Sequence, residues 1–314
     1  MEKIAIIGCG LIGGAWAITF ARAGHDVALW DAGEGVAAGA HAAIPAVLSD
    51  MAESGILDRA VDQILSHLRV ADTLEDALDG VAYVQESTPE KLDIKREVFA
   101  RLDAAAHPDT ILASSTSALL PSAFTEALTG RTRCLVAHPI NPPSLVPAVE
   151  MVPAPWTDAA TLRAASDLME RIGQKPIRMN KELDGFVVNR LQGALLHEAF
   201  RLVADGYAAP EDVDVAIRDG LALRWSFMGP FETIDLNAPG GVRDYVERYG
   251  PMYAQMGETQ HRNADWFSET LDRIEEDRRA RLPKDDLGKR HAWRDRRLMA
   301  LIGHKRDLDK EFGK

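Results

Sequence analysis

"IAIIGCGLIGGAW", residues 4–16, decides the fold. The apolar run 4–7 is too short for a helix and ends on a glycine, which reads as a buried strand. Gly8, Gly10 and Gly13 follow in the spacing G-x-G-x-x-G, and a helical pattern then runs to Gly24. The first glycine permits a tight turn, the second lets backbone approach a pyrophosphate, and the third lets helix lie on strand. At the helix start the N–H groups of Leu11, Ile12 and Gly13 have no partner within the helix and carry the positive end of its dipole, so they suit a phosphate. Glycine spacing alone is weak evidence in a chain with 24 glycines. Here it lies between strand and helix, and Asp31 ends the next β-like run, 27–30. A carboxylate there accepts hydrogen bonds from a ribose diol and repels a 2′-phosphate, and Ala32 and Gly33 supply no arginine to reverse that preference. The stretch predicts a dinucleotide site selective for NAD over NADP.

Outward from this stretch the alternation continues. β-like runs at 81–87, 110–115, 133–139, 149–153 and 175–179 are interleaved with helical stretches at 33–68, 93–106 and 157–172. That is the signature of a doubly wound, mostly parallel sheet. From Asp184 the alternation stops: "DGFVVNRLQGALLHEAFRLVADG" (184–206) reads as one apolar helix closed by Gly206, and Pro210 and Pro230 sit at first-turn positions of later helices. The expected fold is α/β, with a Rossmann-type NAD-binding domain over 1–183 and an all-helical substrate and dimerisation domain over 184–314.

The chain of 314 residues is 46% hydrophobic and 27% charged, as expected of a soluble globular protein with two domains. No apolar run reaches a membrane span. The first apolar run starts at Ile4, leaving no room for a leader segment, so a cytoplasmic location is expected. Cys9 and Cys134 are too few for a disulfide framework and show no metal-ligand spacing, so no metal is expected. The net charge of −12 is uneven: residues 272–314 hold 14 basic against 10 acidic side chains, leaving −16 on the rest. Such an acidic body excludes nucleic acid and anionic membrane as partners. The mixed-sign tail reads as salt-bridged helices.

In "RCLVAHPINPP" (133–143) an apolar run arrives at His138, fenced by Pro139, Pro142 and Pro143. The prolines make this segment neither helix nor central strand, so His138 is expected to be held rigidly where a strand stops. Ligands of such sheets bind at the C-terminal ends of the strands. Polar groups gather there: Ser117 closes "ASSTS" (113–117), His138 closes the next run, and Glu150 lies in "VEMVP" (149–153). Oxidising a secondary alcohol requires a base within hydrogen-bond reach of the hydroxyl, and imidazole titrates in the useful range. Its second nitrogen needs a carboxylate to fix the tautomer, for which Glu150 is the best candidate. Simpler readings stand beside these, with His138 as a loop histidine, Ser117 as a helix cap and Glu150 as a strand-edge charge.

Taken together, "ASSTS", "AHPINPP", "VEMVP" and "GFVVNRLQ" resemble, in order and spacing, the 3-hydroxyacyl-CoA dehydrogenase superfamily, over nearly the whole chain. "VQESTPE", "RWSFMGPFETIDLNA" and "WRDRRLMAL" are similar to its lambda-crystallin and L-gulonate 3-dehydrogenase branch. The resemblance implies His138 as base, Glu150 as its orienting carboxylate, and Ser117 and Asn189 as hydrogen-bond partners of the reacting oxygen. It further implies that Asp31, Glu90, Lys95 and Asn141 line the dinucleotide site, with Ser117 near the nicotinamide. Asn189 falls in the apolar stretch 186–191, where a buried amide needs a partner, backbone or substrate. The charged C-terminal end departs from the glycine- and tyrosine-rich finish of the acyl-CoA enzymes.

The substrate reading starts from missing cations. Between Lys3 and Lys91 there is no lysine and only Arg22, Arg59 and Arg69, few for the phosphates of a CoA thioester. A free small 3-hydroxy acid is expected, its carboxylate clamped by Arg224 unless that residue pairs with Asp219. L-Gulonate leads, with 3-hydroxybutyrate, 3-hydroxybutyryl-CoA and L-carnitine as alternatives. Carnitine would call on an aromatic cage drawn from Trp16, Trp225, Phe227 and Phe231. The sibling β-hydroxyacid dehydrogenases use a lysine, which the helix after 184 lacks. A crystallin-like structural or NAD-sensing protein is the non-catalytic alternative. The apolar "GALLHEAFRLVA" (193–204), with the Trp, Met and Leu residues of 293–302, implies a homodimer through the helical domain.

Overall fold

The computed structural model describes residues 2–313. Eight strands form one sheet: β1 (Lys3–Ile7), β2 (Asp26–Trp30), β3 (Leu68–Val70), β4 (Tyr83–Glu86), β5 (Ile111–Ser114), β6 (Cys134–Pro139), β7 (Ala148–Pro153) and β8 (Lys175–Arg178). Their order is β3-β2-β1-β4-β5-β6-β7-β8. Every pairing is parallel except β6 with β7. Only 140–147 separate those two strands, too few residues for a crossover, so the chain must turn back on itself.

The helices α1 (Leu11–Arg22), α2 (Val36–Glu53), α3 (Val61–Leu65), α4 (Leu74–Leu78), α5 (Leu92–Ala105), α6 (Pro121–Thr125) and α7 (Ala159–Arg171) cover both faces. Side-chain alternation assigns the strands to two cores. Ile4, Ile6, Val27 and Leu29 pack with Trp16, Phe20, Leu48 and Leu168 on one face. Ala5, Ile7, Val84 and Val136 pack with Leu78, Phe99, Leu102 and Phe124 on the other. Burial on both sides explains why these strands read as unbroken apolar runs. Cys9 and Cys134 are free and buried within these layers; burial pushes both thiols up to about 12, which leaves them protonated and unreactive.

Two sequence expectations change here. Residues 33–68 are not one helical stretch: α2 ends at Glu53, Gly55 takes φ 68°, and α3 leads into β3. β3 escapes pattern reading because it is a three-residue edge strand with only Leu68 facing inward. β6, in turn, is an interior strand lying between β5 and β7, and it continues through Pro139. Pairing with β5 ends at Val136, so the missing proline N–H leaves no gap in that ladder.

The chain forms two compact units: residues up to Val188 together with the segment from Trp293 onward, and Asn189–Ala292. The later helices are α8 (Val188–Ala204), α9 (Pro210–Val215), α10 (Ala222–Trp225), α11 (Pro230–Leu236), α12 (Gly241–Gln260), α13 (Glu269–Arg281) and α14 (Leu287–Phe312). A π-helical turn, Ala216–Leu221, joins α9 to α10. Pro210 and Pro230 do occupy first turns. The expectation of one helical domain over 184–314 is corrected at its end, because α14 finishes in the first unit. Met299 is buried there, with Leu298 and Ile302 partly buried against the same core, so these three pack on their own chain, while Trp293 and Leu301 stay 44% and 45% exposed. The Ser54 hydroxyl lies 3.5 Å from Met299 Sδ, and Arg306 donates to Ile56 O at 3.0 Å. Among the described residues no helix is long and apolar enough to cross a membrane, and no cluster of metal-ligating side chains occurs.

Candidate active site

The dinucleotide loop lies at the switch point of the sheet, where β1 is flanked by β2 and β4. Gly8 takes φ 91°, and a Cβ there would meet the Ser87 and Thr88 backbone at 2.7 Å. A Cβ on Gly13 would collide with Gly8 O. Gly10 differs: its Cβ would meet nothing within 4 Å, so the backbone is open where a ligand must approach. No side chain caps α1, leaving the N–H groups of Leu11, Ile12 and Gly13 available, and Leu11 is 90% exposed. Asp31 is fixed at the end of β2, its Oδ2 accepting from Cys9 N–H at 2.7 Å and its Oδ1 from Gly33 N–H at 2.8 Å. Open space, free amides and a held carboxylate fit NAD.

Beside this loop β4 carries a polar layer that the apolar pattern concealed. Gln85 is fully buried, donating from Nε2 to Ser115 Oγ at 2.7 Å and to Ala137 O at 3.2 Å, while Oε1 accepts from Tyr83 at 2.8 Å. It therefore braces the ends of β4, β5 and β6 immediately before His138. Lys95, expected along the dinucleotide, is only 1% exposed. Its Nζ donates to Glu86 at 2.7 and 3.0 Å and to Thr88 O at 3.0 Å, and Glu86 also accepts from Ser114 Oγ at 2.6 Å. Glu90 is turned to the same purpose. Its Oε1 accepts from Ser117 N–H at 3.1 Å, from Ala118 N–H at 3.0 Å and from the Thr116 hydroxyl. Lys95 thus holds the turn 86–88 and Glu90 the turn 114–118, while Glu90 itself stays exposed.

His138 and Glu150 stand directly opposite each other in the antiparallel β6/β7 pair. His138 Nδ1 lies 2.7 Å from Glu150 Oε2. The other carboxylate oxygen accepts from Val187 N–H at 2.7 Å and Val188 N–H at 2.9 Å. Burial alone would push the Glu150 carboxyl up. The bonds from His138, Val188 and Val187 outweigh it, and the group sits below its ordinary value. An ionised carboxylate only accepts, so Nδ1 is the donor in this contact, and in the neutral ring the lone pair is then on Nε2. The pairing that sequence could offer only as the best candidate is a register position, not a loop contact.

Sequence reasoning missed Phe186. It is fully buried, takes φ 50°, and packs its ring 5.6 Å from that of His138. A bulky residue in the left-handed region costs about 1–3 kcal/mol. The turn made by Gly185, at φ 75°, and Phe186 is followed at once by the two N–H groups that hold Glu150. "DGF" at 184–186 was the available signal, hidden inside what looked like the start of a helix.

The remaining expected residues lie where loops or the second unit place them. Ser117 is exposed after β5; the helix it was considered to cap, α6, begins only at Pro121, with Leu120 at its N-cap and no side-chain cap, and the Thr116 hydroxyl accepts from Leu119 N–H at 3.0 Å in the turn before it. Asn141 is exposed after β6. Asn189 is half-buried in the first turn of α8, less enclosed than its apolar neighbours suggested. Arg224 is exposed on α10; Asp219 pairs with Arg218 at 2.8 Å, and among the described residues no carboxylate lies within ion-pair distance of Arg224. Trp16 is fully buried in the first core, which removes it from any aromatic cage.

A Rossmann-type sheet bearing a nucleotide loop and a His–Glu pair on strand ends defines an NAD-dependent dehydrogenase. The chain belongs to the 3-hydroxyacyl-CoA dehydrogenase family, whose NAD-binding domain matches residues 3–183 and whose C-terminal domain matches 185–280. It is 40% identical to the lambda-crystallin homolog of Bos taurus over 97% of this chain and 96% of that protein. It is 35% identical to the L-carnitine dehydrogenase of Pseudomonas aeruginosa over 100% of this chain and 97% of that protein. Among solved structures, 5-formyl-3-hydroxy-2-methylpyridine 4-carboxylic acid 5-dehydrogenase, an NAD+-dependent dismutase, superposes with a TM-score of 0.82 at 25% identity, covering 98% of this chain and 99% of that one.

Proposed function

We propose that this protein is a cytosolic, homodimeric L-3-hydroxyacid dehydrogenase that oxidises the 3-hydroxyl of a free small acid, of the L-gulonate 3-dehydrogenase type. The observation that carries the reading is the 2.7 Å contact between His138 Nδ1 and Glu150. When bound, NAD accepts the hydride. His138 Nε2 takes the hydroxyl proton, and the Glu150 charge stabilises the imidazolium that forms. Ser117 and Asn189 hydrogen-bond the reacting oxygen, and Gln85 keeps the strand end beneath His138 in place. Leu11, Ile12 and Gly13 bind the pyrophosphate and Asp31 the ribose, Glu90, Lys95 and Asn141 line the rest of the dinucleotide site, and Ser117 lies near the nicotinamide. Arg224, with no carboxylate within ion-pair distance among the described residues, clamps the substrate's own.

A second reading, oxidation of L-carnitine, is favoured by the relatives that bear that name and by exposed Trp225, Phe227 and Phe231 in the second unit. NADH formation with L-gulonate, 3-hydroxybutyrate, 3-hydroxybutyryl-CoA and L-carnitine separates these readings. The largest kcat/KM is expected with L-gulonate. A preference for the thioester or for carnitine overturns the free-acid reading, and silence with all four favours a structural or sensing role. Arg224→Ala is expected to raise the KM for the acid about 10- to 100-fold, as for loss of a charge-assisted hydrogen bond, with NAD binding unchanged.

A further inference from the structure

The whole chain carries a net charge of −12, yet one cleft in the first unit is lined by six cationic side chains against two acidic ones. It measures about 450 Å³, within the range of small-molecule sites. Arg22 and Arg306 both line it. Both donate to one acceptor, Ile56 O, at 3.3 and 3.0 Å, so two guanidinium groups crowd a single carbonyl. Arg22 also donates to Ser144 O at 2.9 Å. Burial, and then the Arg306 charge, lowers the Arg22 pKa against partial opposition from Asp58. Like charges held this close repel one another in the ligand-free protein.

The surrounding groups leave that repulsion in place. Among the described residues no carboxylate lies within ion-pair distance of Arg22, Arg59 or Lys175. Asp58 approaches Arg306 only to 3.8 Å, from an 84% exposed position. The Arg59 guanidinium rests on bare backbone at Gly24, where a Cβ would strike it. In the same wall Gln174 is 6% exposed; its Nε2 donates to Pro143 O at 3.0 Å, while Oε1 has no partner. Arg22 lies eleven residues along α1 from Leu11, about 16 Å at the helical rise, so this cleft and the dinucleotide loop occupy opposite ends of one helix.

We infer that this cleft is a second binding site, for a small organic anion carrying two or more carboxylate or phosphate groups. Arg22 and Arg306 grip one anionic group between them; Arg59 and Lys175 meet the other. The site is independent of the dehydrogenase reading, and its test reads binding alone.

Citrate and inorganic pyrophosphate are titrated calorimetrically into the full-length protein, with sodium chloride at matched ionic strength as control and thermal unfolding followed in parallel. At least one of the two anions is expected to bind saturably, once per chain, and to raise Tm where chloride does not. Arg59→Gln and Lys175→Gln, neither of which removes an ion pair, are expected to weaken that binding about tenfold each, the equivalent of 1.4 kcal/mol, with Tm of the ligand-free protein unchanged. Saturating NAD is expected to leave the affinity unaltered. Absence of saturable binding by both anions, binding indifferent to both variants, or competition with NAD would each overturn the proposal.

Discussion

The two compact units bury very different amounts of themselves. In the first, two apolar layers sandwich a sheet whose central strands are fully enclosed, and the charged groups inside it, Lys95, Glu86 and Glu150, each have partners. In the second, Asn189–Ala292, only Val203, Thr233, Ala238 and Thr270 are buried. Leu191, Phe227, Phe231, Leu236 and Val246 stay more than half exposed. Covering one such side chain is worth about 1.5–3 kcal/mol, so the second unit leaves unused the kind of stabilisation that the first has consumed. The lesson is a contrast: the first unit holds its His–Glu pair and its nucleotide loop by internal contacts, whereas the second leaves apolar side chains uncovered. That is the physical ground for proposing a homodimer.

The strongest test of the first unit's self-sufficiency is His138→Gln. Loss of the base is expected to lower kcat about 10²–10⁴-fold, with NAD affinity and Tm close to the parent's. Turnover at the parent rate would sink the proton-transfer scheme. Glu150→Gln comes next, because there packing and chemistry share one carboxylate. We expect kcat to fall about 10²-fold and stability to fall by about 1.5–3 kcal/mol, the worth of hydrogen bonds to a charged group. The sign of its pH dependence follows from the folded Glu150 value lying below the ordinary 4.5. Its contribution is complete above the unfolded value and is lost as pH falls through the lower folded one. Denaturant titrations of parent and variant should therefore differ by a constant amount near neutrality and converge in acid. A difference that grows in acid contradicts the assignment.

Much of the first unit was legible in the sequence because its signals are local. Glycine spacing, the acid ending β2 and the apolar runs each occupy a few consecutive residues, and the structure keeps them in place. What could not be read depends on register or on distant segments. Glu150 opposes His138 only because the 140–147 connection sets an antiparallel register between β6 and β7. That Glu90 accepts from the 114–118 turn, and that Lys95 is buried against Glu86, depends on how strand ends meet and not on the helix entry where both residues stand. Trp16 belongs to a periodic apolar face, which does not reveal whether that face meets core or ligand. The return of α14 to the first core was hidden because Met299 and Ile302 sit in a segment whose average character is charged.

The second unit's dependence on a partner is tested by placing charge where a copy would cover it. Leu191→Asp together with Val246→Asp puts carboxylates on α8 and α12, where the parent side chains are 66% and 52% exposed and contribute little internal packing. The parent is expected to sediment as a dimer and the variant as a monomer, with the dimer dissociation constant raised about 30-fold or more, as for loss of an interface hot spot. A monomeric parent would leave the exposed apolar surface unexplained by self-association. An unchanged dimer would move the interface elsewhere.

The smallest effect returns to the first unit and asks whether its loops, like its core, are complete without a ligand. Asp31 already satisfies Cys9 and Gly33 N–H groups, so its carboxylate braces the loop whether or not a ribose is present. If that were its whole role, Asp31→Ala would lower Tm and leave cofactor affinity nearly intact. If the same oxygens also receive the ribose hydroxyls, the KM for NAD should rise about tenfold, the equivalent of 1.4 kcal/mol, with kcat unchanged. Removing the negative charge also removes its repulsion of a 2′-phosphate, so the preference for NAD over NADP should narrow at the same time. Measuring both cofactors separates a brace from a reader, because losing a brace penalises NAD and NADP alike, whereas losing a reader penalises NAD alone.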